Sequence, residues 1–166
     1  MATALFISRT DLVKNSILDG NTDTDLFLQY VRISQEIHIQ SALGTKLYDR
    51  ISADIIAGTL TGDYLSLVTS YVQPMLIHYA MTDYLPFCAY QVKSKGIFKG
   101  TSENSETVNK EEVDFLVQKE RDFAEYYTRR FVDYMCFNST KFPEYTSNSG
   151  SDISPDKDSN SSSWVL

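Results

Sequence analysis

Gly44 sits inside a row of apolar residues set at helical spacing, with Ile33 and Ile37 ahead of it and Leu43, Leu47 and Ile51 running past it. Spacings of three and four put such side chains on one face of a helix, and that face must be buried against something. A glycine in the middle of the row supplies the backbone freedom of a tight corner. Residues 32–51 therefore predict two amphipathic helices hinged at Gly44 and packed on each other, with no catalytic grouping beside them.

Other helices follow from the same spacing. Ser8 with Asp11 predicts a helix start, and Asp23 offers an N-cap for a helix running to about Leu43 with Leu26, Phe27, Tyr30, Ile33 and Ile37 inward. Past Gly44, the set Leu47, Ile51, Ile55 and Ile56 reaches Gly58, which suits a helix end. From Asp63 to about Tyr90 apolar and aromatic residues lie on most sides, the mark of a central buried helix, and Pro74 and Pro86 predict kinks or breaks in it. Asn109 with Glu112 forms a capping-box-like start to a last helix, whose inward stripe is Val113, Leu116, Val117, Phe123, Ala124, Tyr127, Phe131 and Tyr134.

Between these helices, residues 92–109 turn to Lys, Gly, Ser, Thr, Asn and Glu around Ile97 and Phe98, predicting a long loop or a β-hairpin. The expected fold is all-α, a small bundle of about four to five helices with that loop and an extended C-terminal tail. Residues 1–138 form the helical domain. Residues 139–166 are rich in Ser, Asn and Asp, too polar to build a core, yet they close on Trp164, Val165 and Leu166, an apolar tip suited to docking on a partner.

At 166 residues and 42% hydrophobic content the chain supports one domain with a real core. Its net charge of −7 argues against gripping DNA phosphates, which takes clustered Lys and Arg. Apolar runs fall short of the roughly 18 residues of a membrane span, and residues 1–9 lack the basic start and apolar stretch of a signal peptide. The expectation is folding in a reducing cytoplasm without membrane contact, with Cys88 and Cys136 as buried reduced thiols.

Chemistry-bearing motifs are sparse. His38 and His78 have no second His or Cys at ligand spacing, so no metal site is expected. His78 and Asp83, five apart, lack a recognisable nucleophile for hydrolysis, and neither cysteine has a basic neighbour to activate it. Gly96 and Gly100 follow a helix rather than linking a strand to one, as a phosphate loop does. No catalytic residue and no cofactor is expected, and the chain reads as a non-enzyme. Lys93, Lys95 and Lys99 gather on the one long loop of an acidic protein, where they suit an acidic neighbour or nucleic acid phosphates.

Three blocks carry a resemblance: residues 30–51 with Ala-Leu-Gly-Thr-Lys-Leu-Tyr, residues 95–108 with Lys-Gly-Ile-Phe-Lys-Gly-Thr-Ser-Glu-Asn-Ser-Glu-Thr-Val, and residues 122–134 with Asp-Phe-Ala-Glu-Tyr-Tyr-Thr-Arg-Arg-Phe-Val-Asp-Tyr. In that order and spacing they resemble the head-to-tail connector (adaptor or neck ring) proteins of tailed bacteriophages, nearest to the ring proteins of crAss-like gut phages. The resemblance spans residues 5–145. It implies a virion subunit, assembled in the bacterial host cytoplasm into a homo-oligomeric ring, expected to be a dodecamer, between the portal protein and the tail or second ring proteins. Double-stranded DNA would pass through the lumen without specific binding. On the same basis Lys93, Lys95, Ile97, Phe98 and Lys99 are expected to touch a neighbouring subunit or the portal, and Trp164, Val165 and Leu166 an adjacent virion protein. A non-catalytic helical module that recruits partners through its C-terminal tail is the other expectation.

Overall fold

The structure is a computed structural model; it describes residues 4–16, 18, 24–88, 90–93, 96–99, 109–147, 150 and 152–157, with 24–26 and both strands described by their backbone. Among the described residues, six continuous helices make up most of the structure, against the four to five expected. The first, α1 (Arg9–Asn15), opens on a true capping box: Ser8 Oγ accepts from the Asp11 amide at 3.2 Å and Asp11 Oδ2 accepts from the Ser8 amide at 3.0 Å. The Ser8 hydroxyl also bonds the Asp11 carboxylate and holds its pKa below the ordinary value.

The second helix is continuous from α2 (Thr24–Ser34) through a π-helical turn (Gln35–Ile39) to α3 (Gln40–Leu43). Its buried line is Phe27, Val31, Gln35, Ile39 and Leu43, spaced by four throughout. On a regular helix that spacing would drift steadily around the axis, and the extra residue of the π turn brings it back to one face. Phe27 lies on this line as expected, but the expected Ile33 and Ile37 fall two residues off it. Ile33 and Ile37 are consequently 44% and 56% exposed rather than inward.

The corner at Gly44 forms as expected, with φ +74° and ψ 155°, a conformation closed to side-chain-bearing residues. Beyond it α4 (Thr45–Ala57) buries Leu47 and Ile51 and ends at Gly58 in the left-handed region. The central helix joins α5 (Gly62–Leu67), a second π turn (Val68–Val72) and α6 (Gln73–Tyr84). Pro74 is absorbed inside it, directly after a ladder already widened to five-residue bonds. The helix ends at Tyr84, six residues short of the expected Tyr90, and the chain turns across Pro86.

Each π turn places a glutamine against the N-terminal segment. Gln35, almost fully buried, donates to the Ala4 carbonyl (2.8 Å) and the Tyr48 hydroxyl (2.8 Å) while accepting from the Phe6 amide (3.0 Å). Gln73 donates to the Phe6 carbonyl at 2.9 Å. Backbone groups that no helix or sheet satisfies are thus paired by side chains, and Phe6 and Ile7 enter the core.

Residues Tyr90–Lys93 (β1) and Gly96–Lys99 (β2) pair antiparallel, Tyr90 opposite Lys99 and Lys93 opposite Gly96. Then α7 (Lys110–Asn138) starts on a capping box between Asn109 and Glu112 and packs along α6. Its inward residues are Ala124, Phe131, Val132 and Met135, with Val117, Tyr127 and Tyr134 against the core, but the expected Leu116 and Phe123 are exposed.

The helical body does not stop at residue 138. A short 3₁₀ turn (Ser139–Lys141) and α8 (Pro143–Thr146) bury Phe142 and Tyr145, so this part of the expected tail belongs to the core. Residues 152–157 then return to the Gly44 corner: Thr45 and Ile153 exchange backbone and hydroxyl bonds at 3.0 Å, and the Asp156 amide donates to the Ser41 carbonyl at 2.9 Å. Both cysteines are exposed, not buried as expected, because Cys136 falls on the outward side of α7 and Cys88 lies past the end of α6.

Candidate functional site

Two histidine–carboxylate couples bind the three central helices together, and neither is the pairing suggested by sequence distance. Asp83 faces His38, with Nε2 3.7 Å from Oδ2, and the fully buried Ser34 donates its hydroxyl to the same oxygen at 2.5 Å. The His38 ring stacks on Tyr79 at 3.8 Å and 6°, and Tyr79 reaches Thr128 of α7 at 3.1 Å. Burial works to raise the Asp83 carboxyl, but His38 and the Ser34 hydroxyl outweigh it and hold it below the ordinary value. Burial raises the Tyr79 phenol.

His78 turns the other way. Its Nδ1 is 2.7 Å from Glu120 Oε2, and its ring lies parallel to Tyr127 at 5.4 Å. His78 and Asp83, weighed from the sequence as a hydrolytic pair without a nucleophile, thus take separate partners. Ser34 gives its proton toward a carboxylate, not an imidazole, so the Ser34, Asp83 and His38 trio lacks the arrangement that activates a hydroxyl. It fastens helices.

Beside His78 lies a hollow of about 210 Å³ lined by Asn15, Thr69, Gln73, Pro74, Ile77 and Tyr127. Asn15, Thr69 and Gln73 already donate to the carbonyls of Asp11, Leu65 and Phe6. Their donors are used inside the protein rather than aimed at a ligand. Among the described residues no group of three His, Cys, Asp or Glu side chains is placed to hold a metal ion.

The outward side of α7 is different in kind. Phe115, Tyr126 and Phe137 stand there eleven residues apart, 60%, 59% and 88% exposed, with Phe123 also exposed beside them. Lys119 lies 5.8 Å over the Phe115 ring and 3.9 Å from Asp122, and Arg130 lies 5.0 Å over Tyr71. Near the start of the helix, Phe115 and Leu116 join Asn109, Glu111 and Glu112 around an open hollow of about 450 Å³. Large apolar side chains are thus gathered on one exposed face, the composition that interfaces favour. The eleven-residue spacing of this face is written in the sequence, but an inward stripe does not reveal it.

Of the residues singled out from sequence, the backbones of Lys93, Ile97, Phe98 and Lys99 lie in the strand pair, with Ile97 opposite Val92 and Phe98 opposite Gln91. Lys95, Trp164, Val165 and Leu166 lie outside the described residues.

Fold and surface together define a small, predominantly helical protein in which, among the described residues, the most exposed apolar groups line the longest helix. The chain belongs to the family of unknown function DUF6712, whose model matches residues 39–155, from the end of the first π turn to the proline packed on Gly44. No curated protein and no solved structure matches it.

Proposed function

We propose that the chain is a structural subunit of a head-to-tail connector ring, seated in the virion between portal and tail, through which DNA passes. The observation that carries this reading is the aromatic face of α7, since exposed apolar surface on a small domain is stabilised by association. The resemblance of residues 5–145 to connector proteins supplies the setting. A closed ring needs heterologous contacts between copies, and a net charge of −7 suits a conduit that does not hold the duplex. In this reading Lys93, Ile97, Phe98 and Lys99 of the strand pair, with Lys95 between them in the sequence, reach a neighbouring subunit or the portal. Trp164, Val165 and Leu166 dock on an adjacent virion protein, where repetition around the ring adds avidity. The work is assembly and not catalysis. Among the described residues no helix is long and apolar enough to cross a membrane.

Mass measurement on the purified protein, alone and co-expressed with a portal protein, tests the proposal. A ring, formed alone or on the portal, is expected; a chain that stays monomeric in both settings overturns it. Truncation after residue 157 should leave ring formation intact, because the segment docked on Gly44 is kept.

A further inference from the structure

The exposed face of α7 repeats itself. Phe115, Lys119 and Asp122 are followed eleven residues later by Tyr126, Arg130 and Asp133, and after another eleven by Phe137; all seven side chains are exposed. Eleven residues are three turns with a drift of only about 20°, so the aromatics form a line along the helix with a rise of about 16 Å between them. A residue four further on lies about 40° to one side of that line, and a residue seven further on about 20° to the other. The line thus has a basic edge, Lys119 and Arg130, and an acidic edge, Asp122 and Asp133.

We infer that this face packs on the same face of α7 in a second copy of the chain, with the two helices parallel and in register. The edges decide the orientation. When two such helices run parallel, the basic edge of each meets the acidic edge of the other; when they run antiparallel, basic meets basic and acidic meets acidic. In register, Lys119 of one copy is three residues, about 4.5 Å of rise, from Asp122 of its mate, well within a lysine's reach. Arg130 and Asp133 repeat that relationship one repeat further along, and the aromatics meet in the centre. In the single chain Lys119 and Asp122 pair with each other at 3.9 Å, a contact that the interface exchanges for one between copies, while Asp133 makes no ion pair among the described residues and Arg130 lies over the Tyr71 ring. A same-face contact of this kind is isologous, a two-fold along the helix that joins copies in pairs, so a ring built from such pairs uses a second, heterologous surface as well. The inference rests on the self-association part of the proposed function, not on portal or virion.

Two sets of full-length variants test it, in a background with Cys88→Ser and Cys136→Ser. Lys119→Glu with Arg130→Glu, and separately Asp122→Lys with Asp133→Lys, should each weaken self-association roughly tenfold or more while keeping the helical circular dichroism spectrum. Mixing the two variants should restore it. Mild oxidation should link Tyr126→Cys chains to one another, and should not link Phe115→Cys chains to Phe137→Cys chains. Charge variants that associate as the parent does, or a link between positions 115 and 137, overturn the inference while leaving the assembly reading standing. A parent that is monomeric alone and with a portal protein overturns both.

Discussion

His78 and Glu120 meet across the seam between α6 and α7, Nδ1 of one 2.7 Å from Oε2 of the other, with both side chains mostly buried and the imidazole lying parallel to Tyr127. Removing the acceptor leaves a buried ring nitrogen without its partner. Glu120→Ala is expected to cost about 1–2 kcal/mol, read as a lower urea midpoint at unchanged slope near neutral pH. Adding His78→Phe should recover part of that loss, since the orphaned polar group is then gone. Strictly additive losses would show that the two side chains do not depend on each other.

Asp83 gives the fold an acid-sensitive contact. Its folded pKa is lowered by His38 and the Ser34 hydroxyl against the opposing effect of burial, so in acid the unfolded chain binds the proton more readily. The stabilisation is present above the ordinary carboxylate value of about 3.9 and is lost as pH falls through the lower folded value. Asp83→Asn should therefore narrow the difference in unfolding free energy between about pH 6 and about pH 3 by on the order of 1 kcal/mol. Urea melts at the two pH values measure this, and an acid limb as steep as the parent's would refute the assignment.

What the sequence made legible was local. The capping boxes at Ser8 and Asn109, the corner at Gly44 and the burial of Leu43, Leu47 and Ile51 all follow from residues within a few positions of one another. Of the inward face of the second helix only Phe27 was legible, because the π turn at Gln35–Ile39 breaks the 3.6-residue period on which a stripe is counted, and Ile33 and Ile37 lie outside. Phe142 and Tyr145 were hidden by polar surroundings, yet two aromatics on a short turn suffice to extend a core. The pairing of Asp83 with His38 and of His78 with Glu120 is long-range, and spacing along the chain carries no information about it. The eleven-residue repeat on α7 was visible in the letters, but it lies on the side that burial arguments do not inspect.

Gly44 should not tolerate a side chain. A Cβ there would come within 2.7 Å of Cδ and Cγ of Pro155, and φ of +74° with ψ of 155° is strained for any residue but glycine. Gly44→Ala is expected to cost about 2 kcal/mol or more and to loosen residues 152–157 from the α3–α4 corner. Limited proteolysis should then cut this segment faster, at sites the parent protects. Adding Pro155→Ala should relieve the contact but not the backbone strain, so only part of the stability should return.

Tyr145 predicts the opposite sign. Its ring packs edge-on to Phe131 with the Lys157 ammonium 5.6 Å above it, while its hydroxyl is buried with no hydrogen-bond partner among the described residues. Burial pushes the phenol up to about 12. Tyr145→Phe keeps the ring and removes the orphaned oxygen, and should stabilise the fold by about 1 kcal/mol, or about 2–4 °C in Tm. Because the folded phenol holds its proton more tightly than the unfolded one, its contribution is full below about pH 10 and fades as pH rises toward 12. The variant should accordingly lose less stability than the parent over that alkaline span. Thermal melts at neutral pH and at about pH 11 measure both effects, and a lower Tm in the variant at neutral pH would mean that the hydroxyl has a stabilising partner after all.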